Sequence, residues 1–276
     1  MQQTTVAPPV LFCGCGWLGR HYVALTDNTN VVGTTRSAEK ASALNALGVN
    51  AVRFTLGESP EKLKHHLSQR SVVLNIPPGR KHPMDPNFAS NIITLAKTLL
   101  AANIPRLIFI STTSVYGNQT GVLNEQTPTA PNTPSGEHHC AIEQALLALA
   151  DPRITIIRLA GLVGPDRHPV NFLSGRKLDK GEQAVNLVHV KDVVKALHLL
   201  LQKPINDLLP PLLHLCSLAH PRRDEYYTWA AKQRERMLPV FTASSSSGVF
   251  GKQINAQRSW QALGLTPTFV SPYDMV

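Results

Sequence analysis

The stretch Val10-Leu11-Phe12-Cys13-Gly14-Cys15-Gly16-Trp17-Leu18-Gly19 decides how this chain is read. Four apolar residues run straight into glycines, as a buried parallel strand does when it ends in a tight turn. The glycines are spaced G-x-G-x-x-G, and Gly19–Leu25 continues as a helix. In such a strand–turn–helix unit the first glycine permits the turn. The second lets the backbone approach a pyrophosphate, and the third packs helix on strand. The amides and dipole at the helix start favour an anion there. Gly14, Gly16, Trp17, Leu18 and Gly19 are therefore candidate cofactor-binding residues.

The next strand, Asn30–Thr35, sharpens the cofactor. An NAD site carries an acid about twenty residues beyond the glycines to hold the ribose 2′-hydroxyl. Here the window reads Gly33-Thr34-Thr35-Arg36-Ser37, without an acid. Arg36 can pair with a 2′-phosphate, helped by the hydroxyls of Thr35 and Ser37. NADP is expected, with NAD as the alternative.

Further strands read at Asn50–Phe54, Ser71–Ile76, Arg106–Ile110, Thr155–Leu159 and Leu212–Cys216. Helical patterns lie between them, at Ser37–Leu47, Asn87–Ala102, Ser135–Ala150 and His189–Leu201. Strands alternating with helices make a parallel sheet covered on both faces. The fold class is α/β, a Rossmann-type doubly wound sheet with a small C-terminal substrate-binding region. Residues 1–160 form the dinucleotide-binding domain, residues 186–216 return to it, and residues 161–276 shape the substrate cleft. Ligands on such a sheet bind beyond the carboxyl ends of the strands. After residue 217 the pattern weakens. Ser244–Ser247 and Gly248 read as loop, and Ile254–Leu263 as a short helix ending at Gly264.

Composition sets the outer limits. The 276 residues are 43% hydrophobic and 16% charged, which suits a large buried core and excludes a wholly disordered chain. No run approaches the ~18 apolar residues of a membrane helix. The first nine residues lack the parts of a secretory signal. Four scattered cysteines fit a reducing cytoplasm and no disulfide framework. Lys plus Arg number 27 against 18 Asp plus Glu, a balance of +9 that favours an anionic partner. No run of five basic residues occurs, so a phosphate-bearing small molecule is favoured over nucleic acid. Cys13 and Cys15 have no second Cys or His pair beside them, so no metal site is expected.

Three strings complete the pattern. Ile110-Ser111-Thr112-Thr113-Ser114-Val115-Tyr116-Gly117 follows the fifth strand. Arg158-Leu159-Ala160-Gly161-Leu162-Val163-Gly164-Pro165 follows the sixth, and Asn186-Leu187-Val188-His189-Val190-Lys191-Asp192-Val193 opens the later helix. With these strings in order, residues 8–220 resemble the extended short-chain dehydrogenase/reductase superfamily. The resemblance is to its atypical branch of small bacterial proteins named as nucleoside-diphosphate-sugar epimerases.

The resemblance implies an NADP-dependent oxidoreductase or epimerase acting on a sugar nucleotide or similar hydroxylated substrate. It places Thr112 at the reacting oxygen and Ser111 beside the cofactor, with Asn75, Ile76 and Pro77 where the backbone passes the cofactor. Tyr116 is a scaffold position. It also implies a Tyr-x-x-x-Lys pair, in which a cation lowers the pKa of a phenol that is otherwise near ~10. This chain departs there: Ser135 stands for the tyrosine and His139 for the lysine. A Ser135–His139 pair four residues apart shares a helix face, so His139 can act as base for Ser135. Ser135 also suits a plain N-cap. Arg158, Arg167, His168 and Asn171 are candidate substrate contacts, and a homodimer is possible. His189 and Asp192 read as capping and backbone-orienting residues. Loss of the Tyr and Lys beside an intact glycine loop leaves a second reading open, a dinucleotide-binding sensor or scaffold without turnover.

Overall fold

The computed structural model describes residues 8–26, 29–79, 84–204, 209–242 and 248–276. The serine-rich stretch Ser244–Ser247 lies outside the described residues. Seven parallel strands form one sheet: β1 Val10–Cys13, β2 Val31–Thr35, β3 Asn50–Arg53, β4 Ser71–Leu74, β5 Leu107–Thr112, β6 Ile154–Leu159 and β7 Leu212–Leu215. Their order is β7-β6-β5-β4-β1-β2-β3. The order reverses between β1 and β4, which opens a crevice at their carboxyl ends.

The longer helices among the described residues are α1 Trp17–Thr26, α2 Ala38–Asn45, α3 Phe88–Ala101, α4 Pro134–Leu147, α5 Val190–Gln202, α6 Arg223–Gln233 and α7 Gln257–Leu263. Strand side chains alternate between the sheet's faces. Val10 and Phe12 join one core with Leu18 and Tyr22 of α1 and Val193 and Leu197 of α5. Leu11 and Cys13 join the other, with Ile92 and Leu95 of α3 and Ile142 of α4. This two-sided burial is what the continuous apolar strands require. Cys13 and Cys15 pack into opposite cores. Burial pushes both thiols up to about 12.

The second half adds a third core, built from Val163, Val170, Leu187, Tyr226, Ala230 and Met275. Short parallel strand pairs tie this region together, Gly161–Val163 with Leu187–His189 and Lys177–Leu178 with Val240–Phe241. Another pair, Gly121–Leu123 with Lys252–Ile254, joins it to the first half. Among the described residues, no helix is long and apolar enough to cross a membrane.

Some boundaries differ from the sequence reading. β4 ends at Leu74; the Asn75 amide still donates to Cys13 O (2.8 Å), and its side chain donates to Gly14 O (3.2 Å). Ile254 ends a strand, and the helix starts only at Gln257. Helix α6 has no wide apolar stripe: it buries Tyr226, Tyr227, Ala230 and Ala231. Aromatic and small residues in that order carry a weak helical signal.

Candidate functional site

The glycine turn sits at the β1/β4 crevice. Gly14 has φ +78°, and a Cβ there would lie 2.6 Å from Asn75 O. Only glycine combines that dihedral with that approach. The Gly14 amide donates to Thr34 Oγ1 (2.9 Å) and the Cys15 amide to Thr34 O (2.9 Å), which pins the turn to β2. A Cβ on Gly19 would strike Cys15 Sγ at 2.7 Å, so here helix and turn touch. Gly16 is the opposite case: the nearest atom to its Cβ position is Gly14 O at 3.9 Å. The space in front of Gly16 is a cradle beside the unpaired first amides of α1. That donor set and that room fit the diphosphate of a dinucleotide. Leu18 buries its side chain in the core, leaving its backbone to the turn.

Trp17 closes one side of this turn. Its Nε1 donates to Asp166 Oδ1 at 2.9 Å, and its ring lies against Gly164, where a Cβ would sit 2.8 Å away. The Arg167 guanidinium stacks 5.2 Å from the Trp17 ring centre. The loop after β6 is thereby clasped to the first turn of α1. Arg167 thus meets the glycine-turn side of the crevice. Arg36 is exposed at the end of β2, beside half-buried Thr35. Ser37 is the N-cap of α2 and accepts from the Lys40 amide.

Thr112 ends β5 and caps the short turn Thr113–Tyr116, accepting from the Ser114 amide (3.2 Å) and donating to Ser114 Oγ (3.1 Å). Ser111 points the other way. Its hydroxyl donates to buried Glu143, which takes three hydrogen bonds from Arg158, the shortest 2.6 Å. Arg158 Nη1 also donates to the Tyr116 hydroxyl (2.6 Å), which lies 2.7 Å from His214 Nε2. Ser111, Arg158 and His214 stand in register across β5, β6 and β7. A buried charge survives only when paired and hydrogen-bonded, and this row does that. Burial pushes the Tyr116 phenol up to about 12 despite Arg158, so it is no substitute base.

Several expectations are corrected. Arg158 does not face substrate: it is 4% exposed and its donors go to Glu143 and Tyr116. His168 is buried too, 2.8 Å from the Tyr226 hydroxyl, and accepts from the Val170 amide. Burial lowers its pKa to about 4. The Ser135–His139 relay does not form. His139 Nδ1 bonds the Ser135 backbone carbonyl (2.8 Å), and its ring is buried against Phe109 and Phe88. Burial lowers the His139 pKa, which leaves it a neutral core residue. Nor is Ser135 the N-cap: Thr133 accepts from the Gly136 amide (3.1 Å), and Pro134 opens the helix. Asn171 is exposed on the short helix Val170–Leu173. His189 caps α5, and Asp192 accepts from the amides of Thr268 (2.8 Å) and Phe269 (3.0 Å).

One charged group was missed. Lys252, half-buried, donates to the carbonyls of Thr113 (3.2 Å) and Gly117 (2.9 Å). Burial holds its pKa below the ordinary lysine range. No motif surrounds it in the sequence; only the pairing of its strand with Gly121–Leu123 brings it here.

The sheet order, the switch-point crevice and the glycine turn define a dinucleotide-fold α/β protein of the extended dehydrogenase type. A sequence model of the NAD-dependent epimerase/dehydratase family matches residues 14–210, and the chain belongs to that family. It is 34% identical to protein YeeZ of Escherichia coli K12 over 274 residues, 96% of this chain and 98% of the other. Among solved structures it is similar to the enzyme WbmG of Bordetella bronchiseptica, in complex with NAD and UDP. There the TM-score is 0.77 at 17% identity, over 99% of this chain and 93% of that one. The UDP-glucuronic acid 4-epimerase of Bacillus cereus, in complex with NAD, gives 0.74 at 19% identity, over 96% and 95%.

Proposed function

We propose that the chain binds NADP(H) at the glycine turn and acts as an oxidoreductase or epimerase on a sugar nucleotide or similar hydroxylated substrate. The carrying observation is the cradle at Gly16, open while Gly14 and Gly19 are closed by contact. Gly14, Gly16, the backbone of Trp17, Leu18 and Gly19, and Asn75 to Pro77 would hold the dinucleotide. Arg36 and Thr35 would meet a 2′-phosphate, and no acid stands there to hold a free 2′-hydroxyl. The bound nicotinamide supplies a hydride acceptor or donor. The Ser111 backbone would border it, its hydroxyl being held by Glu143, and Thr112 would hydrogen-bond the reacting oxygen. The WbmG and B. cereus structures contain NAD, and a diphosphate-bearing substrate agrees with the +9 balance.

The second reading, a dinucleotide-binding sensor or scaffold without turnover, is favoured by one observation. At the Tyr and Lys positions the chain offers a serine and a buried, neutral histidine.

Thermal unfolding with NADP⁺, NADPH, NAD⁺ and NADH tests the first step. A ligand at about a hundred times its Kd adds ~2.7 kcal/mol. Stabilisation by the NADP pair alone, lost in Gly16→Trp, is expected. Equal stabilisation by both pairs removes the Arg36 argument, and unchanged binding in Gly16→Trp removes the turn as the site. Turnover of NADPH over a carbonyl panel, lost in Thr112→Ala, separates the enzyme from the sensor.

A further inference from the structure

His139 is turned into the core, while the strand Lys252–Ile254 delivers an ammonium to the turn that Thr112 caps. Among the described residues, Lys252 is the lysine whose Nζ bonds that turn. An ammonium has three N–H donors; two serve Thr113 and Gly117, and one remains.

Lys252 lines a cavity of about 380 Å³, within the range of small-molecule sites. Its other walls include Asn118, Gln119, Gln183 and Lys180, amides and a second ammonium set against the single acid Glu182. Asn186 also borders it and holds the lysine's strand in place, donating to Lys252 O (2.8 Å) and accepting from the Ile254 amide (2.8 Å). Phe250 stands at the rim with 51% of its surface exposed. Amide donors and acceptors, an open aromatic face and a net positive wall suit a sugar ring bearing an acid group.

We propose that Lys252 is the anchoring cation of the substrate cleft and selects a ligand with an acid group on its sugar, a uronic acid rather than a neutral hexose. This rests on the sugar-nucleotide reading above.

The test compares UDP-glucuronic acid with UDP-glucose, by calorimetry with saturating NADP⁺. The wild-type protein is expected to bind the uronate at least tenfold more tightly. Lys252→Met and Lys252→Gln should bring the ratio near one, and Lys252→Arg should keep it. A lysine that merely pins the turn predicts equal losses for both ligands. That result, or a wild-type ratio near one, overturns the inference. Should the variants fail to fold, reductive methylation of the wild-type protein decides. Slower labelling of Lys252 under UDP-glucuronic acid but not UDP-glucose supports the inference, and equal labelling overturns it. Should neither nucleotide sugar bind while NADP⁺ still stabilises the protein, the sugar-nucleotide reading fails on its own. Inorganic phosphate then replaces the sugars: protection of Lys252 from methylation sustains an acid-group site, and lack of protection ends it.

Discussion

Two helix starts that the family pattern loads with chemistry have gone different ways. At α1 the demands fall on the backbone. Gly14 must turn, Gly16 must leave room and Gly19 must touch, and each does. At α4 the demands fall on two side chains, and neither is kept. Thr133 and Pro134 make a sound helix start, while His139 has joined the core between Phe88 and Phe109. Chemistry carried by main-chain geometry is locked in by packing, because any Cβ at Gly14 or Gly19 disturbs the fold. Chemistry carried by a side chain can be exchanged for a core residue without cost to the helix.

The largest expected effect is acid sensitivity carried by buried histidines. Burial lowers the pKa of His168, His189 and His214 to about 4. The unfolded chain takes up these protons near pH 6.5. Stability is therefore full above about pH 6.5 and falls as pH drops toward 4, by about 2 kcal/mol per histidine at pH 5. Denaturant melts from pH 7 to pH 5 read this; a flat profile would mean that water reaches these rings. Arg158→Met comes next. It leaves Glu143 charged and buried without its partner and should cost about 3–5 kcal/mol. A melting temperature close to wild type would show that the pair is solvated.

A glycine pair tests the α1 side directly. Gly14→Ala adds a left-handed penalty and a backbone clash, at least about 2 kcal/mol. Gly16→Ala should change stability by less than about 1 kcal/mol yet weaken dinucleotide binding. Equal stability losses in the two variants would erase the distinction between closed and open glycines. The smallest effects separate cap from bystander at α4. Thr133→Ala should cost about 1 kcal/mol. Ser135→Ala should cost less than about 0.5 kcal/mol, since its hydroxyl makes no bond to His139. A larger loss in Ser135→Ala would restore a role for that hydroxyl.

The same division explains what the sequence could tell. Strand runs and glycine spacing are local signals, and the parallel sheet and the turn are legible in them, while the strand order and its switch point are not. His139 was misread because spacing places it on a face of α4 without saying which face meets the core. Arg158 and His168 read as substrate contacts because polar residues at and beyond the carboxyl ends of strands line the ligand crevice. Their burial depends on Glu143 and Tyr226, 15 and 58 residues away. Lys252 has no local signal at all, and its partners Thr113 and Gly117 lie 139 and 135 residues earlier.

Asp192 carries a consequence for the order in which the molecule assembles. Its buried carboxylate sits in the first turn of α5, and the amides that satisfy it come 76 and 77 residues later. Until Thr268 and Phe269 arrive, that carboxylate must keep its water, and α5 cannot settle fully against α1. Closing so long a loop is slow, because chain entropy is lost before the contact repays it. During synthesis Asp192 is made well before the segment that satisfies it. The contacts that complete α5 are thus among the late ones the chain can make.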